Sequence, residues 1–91
     1  MKTIHKYVIP TFEKFELEIP EDAELLDFKV QNNVPMLWAL VDTNAALEKR
    51  SFVTYPTGAE IPYDEWTQGN YIGSVLFTND TLVTHLFELV K

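Results

Sequence analysis

Phe15, Leu17 and Ile19 alternate with Glu16 and Glu18, and the same beat of two returns at Leu26, Phe28 and Val30 against Asp27, Lys29 and Gln31. Side chains that change sides at every residue describe a strand with one face on a core and the other in water. Stretches 3–9, 50–55 and 71–78 are β-branched and aromatic in the same manner. Turn chemistry separates them. Pro20 cannot continue a ladder. Asn32 and Asn33 tolerate the positive φ that a two-residue hairpin requires, and Asn79-Asp80 marks another turn. The pattern predicts an all-β, mainly antiparallel fold: a small sandwich or open barrel of about six to seven strands, mostly joined as hairpins.

Three stretches depart from simple alternation. VPMLWALVD (34–42) sets Met36, Trp38 and Leu40 on one face and Leu37, Ala39 and Val41 on the other, so both faces are apolar. That is the mark of a central strand covered on both sides, and Trp38, among Leu and Met, is expected in the core. One face of this strand is expected to be covered by a second subunit, because a chain of 91 residues buries only about 60–65% of its unfolded surface. The stretch 81–90 is also apolar on both faces and reads as a central strand, with a C-terminal helix over Leu82, Leu86, Leu89 and Val90 as the alternative. DTNAALEK (42–49) reads as a loop with room for a helical turn over Ala45 to Leu47. PTGAEIPYDEWTQGN (56–70) holds two prolines and two glycines with no steady period. It reads as one long loop of the kind that often carries function. Gly73 marks a bulge or a close packing point in its strand.

No break in composition divides the chain, which is a single domain over 1–91. It contains no cysteine, so disulfide scaffolds, Cys-based zinc sites and thiol catalysis are excluded. MKTIHKYVIPTFEKFELE is not expected to act as a signal peptide, since His5 and Lys6 interrupt any apolar run; the expected location is the cytoplasm. With 14 acids against 7 bases and a net charge of −7, nucleic acid and anionic membranes are not expected partners. Acids concentrate between Glu13 and Asp27, including Glu16, Glu18, Glu21 and Asp22. Such a cluster can meet a basic patch on another protein; the plainer reading is a solvated edge.

Catalytic motifs are sparse. Ser51 and Ser74 lie in no nucleophile elbow, and three glycines cannot build a phosphate-binding loop. His5 and His85, with a carboxylate such as Asp42, could form a metal site only if the terminal strands paired; surface histidines are the plainer reading. No metal, no cofactor and no enzyme activity are expected. Tyr63, Asp64, Glu65 and Trp66, aromatic anchors bracketed by acids in the long loop, suit a protein contact. The competing reading folds Trp66 back as a lid over the sheet. Lys49-Arg50 is the one adjacent basic pair and the place where an anionic ligand would bind.

TIHKYVIP, VPMLWALVD, YPTGAEIP and NYIGSVLF together resemble a family of small uncharacterised bacteriophage and prophage proteins. That family has an opening I-x-K-Y-x-[IL]-P, a central P-x-L-W-A-L-V-D and a later Y-[IL]-G-[ST]. The resemblance covers most of the chain. Where relatives often read G-T-G before the long loop, this chain has Pro56-Thr57-Gly58, matching at the last two positions. The resemblance transfers no catalytic residues. It implies a small acidic protein acting in the host bacterial cytoplasm, binding and inhibiting or modulating a host protein, with defence factors among the targets. Sequestration of a small ligand or nucleotide signal, and a structural or assembly role, are the alternatives. A homodimer is expected.

Overall fold

The computed structural model describes residues 1–89. Seven strands and one short helix follow in the order β1 (Lys2–Val8), β2 (Lys14–Pro20), β3 (Glu24–Gln31), β4 (Val34–Asp42), β5 (Leu47–Pro56), α1 (Tyr63–Gln68), β6 (Gly69–Phe77) and β7 (Leu82–Leu89). They form two antiparallel sheets, β1-β4-β3 and β2-β5-β7-β6, stacked as a slab measuring 40 × 32 × 16 Å. The small all-β sandwich expected from the alternation is what the chain forms.

The connections differ from the expected string of hairpins. Only β3–β4 and β6–β7 pair with their neighbour in sequence; the chain otherwise crosses between sheets or, from β5 to β6, over β7. Asn32 (φ 52°) and Asn33 (φ 64°) close the first hairpin in the left-handed region, as their chemistry predicts. The second turns through Thr78, Asn79 and Asp80, all at positive φ. The Asn33 side chain accepts a hydrogen bond from the Thr78 amide at 2.5 Å, tying the two turns together.

Alternation assigns the faces. From β4, Leu37, Ala39 and Val41 are fully buried between the sheets. They join two clusters, one around Ile9, Phe28, Phe52, Val75 and Leu86, the other around Ile19 and Ala23. Phe15 stacks on Phe52 at 5.6 Å. Trp38 is not in this core. It shares the opposite face of β4 with Met36 and Leu40, half-buried on the outside of the sheet, because a two-layer fold offers a strand only one interior face. A bulge in β3 makes a second correction. The register slips between Leu25 and Asp27, so Leu25 takes the inward position and Leu26 is left exposed.

The other ambiguous segments resolve as follows. Residues 82–89 are strand; Val90 lies outside the described residues. The 42–49 stretch has no helical turn, and β5 begins at Leu47. The 56–70 loop contains α1. Gly73 follows a register shift, and a Cβ there would lie 3.7 Å from the Phe28 ring, where β6 packs alongside β3 of the other sheet. No helix among the described residues is long and apolar enough to cross a membrane.

The crossing from β1 to β2 depends on a buried hydroxyl. Thr54 Oγ1 accepts hydrogen bonds from the amides of Phe12 (2.6 Å) and Glu13 (3.4 Å) and donates to the Pro10 carbonyl (3.1 Å). Phe12 sits at φ 61°, a conformation unfavourable for a bulky residue, and this bonding holds it there. Replacing Thr54 by Val keeps the volume and orphans those groups. The expected loss is about 1–3 kcal/mol of unfolding free energy, read from urea denaturation with an unchanged m-value.

Candidate functional site

The crossover from β5 to β6 lies on the outer face of the four-stranded sheet. Val53 points to that face, between Lys14 and Phe87 in the register, and is only 2% exposed. Residues 56–59 and Ile61 line a shallow apolar groove with Tyr55, Tyr71 and Phe87. Phe87 makes edge contacts with Tyr55 at 6.3 Å and Tyr71 at 5.3 Å.

At one end of the groove His85 bridges two hydroxyls. Its Nδ1 meets Ser74 Oγ at 2.5 Å and its Nε2 meets Thr57 Oγ1 at 2.7 Å. The Tyr71 hydroxyl also bonds Ser74. A Ser–His contact invites comparison with a hydrolase. In such a site a carboxylate holds the second imidazole nitrogen and stabilises the imidazolium; here a threonine hydroxyl occupies that nitrogen. What the arrangement does is fasten Thr57 and the start of the crossover to the sheet. The sequence reading missed this cluster, although a hairpin folded about Asn79-Asp80 puts Ser74 directly opposite His85. His5, on β1 of the other sheet, is not near it. Among the described residues no group of three or more His, Cys, Asp or Glu is placed to hold a metal ion.

At the other end of the crossover, YDEWTQ forms α1. Six residues cannot sustain a helix alone. Pro62 supplies the carbonyl that accepts from Glu65 and Trp66, and Asp64 and Glu65 in the first turn suit the helix dipole. The anchor is Glu65, whose side chain is 8% exposed and whose Oε2 meets Lys14 Nζ of β2 at 2.5 Å. Its Oε1 is buried with no hydrogen-bond partner among the described residues. With Glu65 turned inward, Tyr63 (70% exposed) and Trp66 (55% exposed) project outward, ring centroids 5.2 Å apart in edge contact. The tryptophan does not fold back as a lid.

The sequence-derived residues therefore separate. Tyr63, Asp64 and Trp66 form one exposed patch, and Glu65 underpins it. Glu16 and Glu18 are exposed on the same face of β2 as Lys14 and extend the patch with negative charge. Glu21 and Asp22 are exposed in the β2–β3 turn, roughly 20 Å further along by strand rise.

Lys49 and Arg50 both line a pocket at the end of the four-stranded sheet with Glu48, Ser51, Asn70 and Glu88, but their side chains leave opposite faces of β5. Lys49 pairs with Glu18 on the outer face, while Arg50 pairs with Leu17 on the inner face. Arg50 Nε and Nη2 fork onto Glu88 at 2.5 and 2.7 Å, and Nη1 donates to the Ala23 carbonyl at 2.8 Å. The Glu88 hydrogen bond raises the guanidinium above its ordinary pKa against the opposing effect of burial. So occupied, the guanidinium braces β5 to β7 and to the β2–β3 turn. Arg50→Lys loses the fork and is expected to lower stability by about 1–2 kcal/mol in chemical denaturation, discounted from a fully buried pair because both side chains keep some exposure.

No curated protein and no solved structure matches the chain. A family does match along its whole length, residues 1–91, and the chain belongs to it: Domain of unknown function (DUF7352).

Proposed function

We propose that the chain is a non-enzymatic protein-binding module whose contact surface is α1 and the acidic flank of β2, and that it takes a basic surface of another protein. The observation that carries this reading is the Tyr63–Trp66 pair, two large aromatic side chains held in mutual contact and mostly exposed, on a helix braced from below by Lys14–Glu65. Aromatic anchors of low side-chain entropy supply much of the energy at protein interfaces. Asp64, Glu16 and Glu18 surround them with the charge that would steer a basic partner. The resemblance to phage proteins supports a partner from the bacterial host, inhibited or modulated by the contact, with a defence factor as one such target.

The test is capture from host lysate with the intact chain, followed by light scattering on the purified complex. One protein at fixed stoichiometry is expected, with affinity falling as salt rises. Trp66→Ala is expected to weaken it by about 30-fold or more, as for an interface hot spot, and Trp66→Phe by less. A captured set identical for the native chain and Trp66→Ala would overturn the reading.

A further inference from the structure

The rings of Tyr63 and Trp66 stand at 84° to one another, and both side chains are mostly exposed. The pair makes a corner. A flat group lying on one ring presents its edge to the face of the other. An aromatic face is the negative end of the ring's quadrupole, so both walls of the corner attract positive charge.

The surrounding sequence adds to that attraction and does not satisfy it. From Ser51 to Val90 the chain holds Glu60, Asp64, Glu65, Asp80 and Glu88 and neither lysine nor arginine. Glu60 and Asp64 are exposed and close to the pair in sequence. Lys14 reaches α1 from β2, but its ammonium is held by Glu65 on the buried side of the helix. Glu16 and Glu18, exposed on the same face of β2 as Lys14, add negative charge.

We propose that this corner is a binding site for the guanidinium of arginine, so that an arginine side chain is the anchor the partner inserts. The inference rests on the protein-binding reading of α1 and names the group on the other side of that contact. Geometry selects arginine over lysine. A guanidinium is planar and weakly hydrated. It can stack flat on one ring, tryptophan being the stronger cation binder, while its edge N–H groups meet the other ring or the Asp64 carboxylate. An ammonium is a compact, strongly hydrated point charge that would shed water for a single ring contact. An apolar anchor would gain the rings and leave the carboxylates around them without a counter-charge.

Two peptides of equal charge test the proposal: acetyl-Arg-Gly-Arg-Gly-Arg-amide and its lysine counterpart. Each is titrated into the full chain at fixed salt. The indole N–H signals of Trp38 and Trp66 are followed by NMR and assigned with Trp66→Phe. The arginine peptide is expected to move the Trp66 signal and to bind about two- to fivefold more tightly than the lysine peptide, the range for an exposed cation–π contact. Trp38, on the other sheet, is expected to stay in place. In Trp66→Ala the two peptides are expected to bind alike, through charge alone, with circular dichroism confirming that the variant is folded. Equal affinities for the native chain would overturn the proposal. So would an unmoved Trp66 signal, or a preference that survives Trp66→Ala. The two readings fail separately. Peptides that bind alike, beside a lysate partner that depends on Trp66, would overturn the arginine site and leave the contact surface with another anchor. An arginine preference that depends on Trp66, beside a captured set identical for the native chain and Trp66→Ala, would uphold the guanidinium site and overturn the protein-contact reading.

Discussion

Leu37, Ala39 and Val41 of β4 meet the inner side chains of the second sheet, and every other element is arranged around that contact. It is the only interior a two-layer fold of this length can make. Phe28 and Leu25 reach it from β3, Phe52 and Phe15 from the opposite sheet, and Ile9 seals one end as the chain leaves β1. Because sheet faces alternate strictly, filling this layer determines what remains outside. The four-stranded sheet covers part of its outer surface with the crossover and α1. The three-stranded sheet does not. The asymmetry separates two surfaces, one carrying aromatic and acidic groups on the far side of one sheet, the other apolar on the far side of its neighbour.

Polar groups act mainly as fasteners. Thr54 fixes the entry to β2, His85 fastens the start of the crossover, Glu65 fastens its end, and Arg50 joins β5, β7 and the β2–β3 turn. Each joins segments distant in sequence. The acids of β2 have a role in any case, because β2 is an edge of its sheet and a charged edge resists pairing with another chain.

The strands, the Asn32-Asn33 hairpin and the two-sheet layout were legible because periodicity and turn chemistry are local. The exposed positions of Tyr63 and Trp66 were half-legible: the residues stood out, while the short helix that aims them depends on Lys14, some fifty residues earlier. Trp38 was assigned to the core because a doubly apolar strand looks the same whether its second face is covered by its own chain or left bare. The β3 bulge exchanged Leu25 for Leu26, since one inserted residue reverses the parity of everything before it. The strand order, the Arg50–Glu88 pairing and the Ser74–His85 contact required knowing which strands adjoin, information carried by long-range pairing.

That long-range pairing also governs how the fold is reached. Lys2 of β1 stands opposite Asp42 in the register, and Lys14 of β2 opposite Val53. During synthesis at about 5–20 residues per second, β1 waits on the order of two seconds or more for β4. The two hairpins can form within microseconds of emerging, but they cannot enclose a core until the first strands have found their places. A high contact order of this kind slows folding towards the millisecond-to-second range. Through that interval the like charges within each strand, Lys2 and Lys6 on β1 and Glu16 and Glu18 on β2, disfavour pairing of either strand with the same strand of another nascent chain.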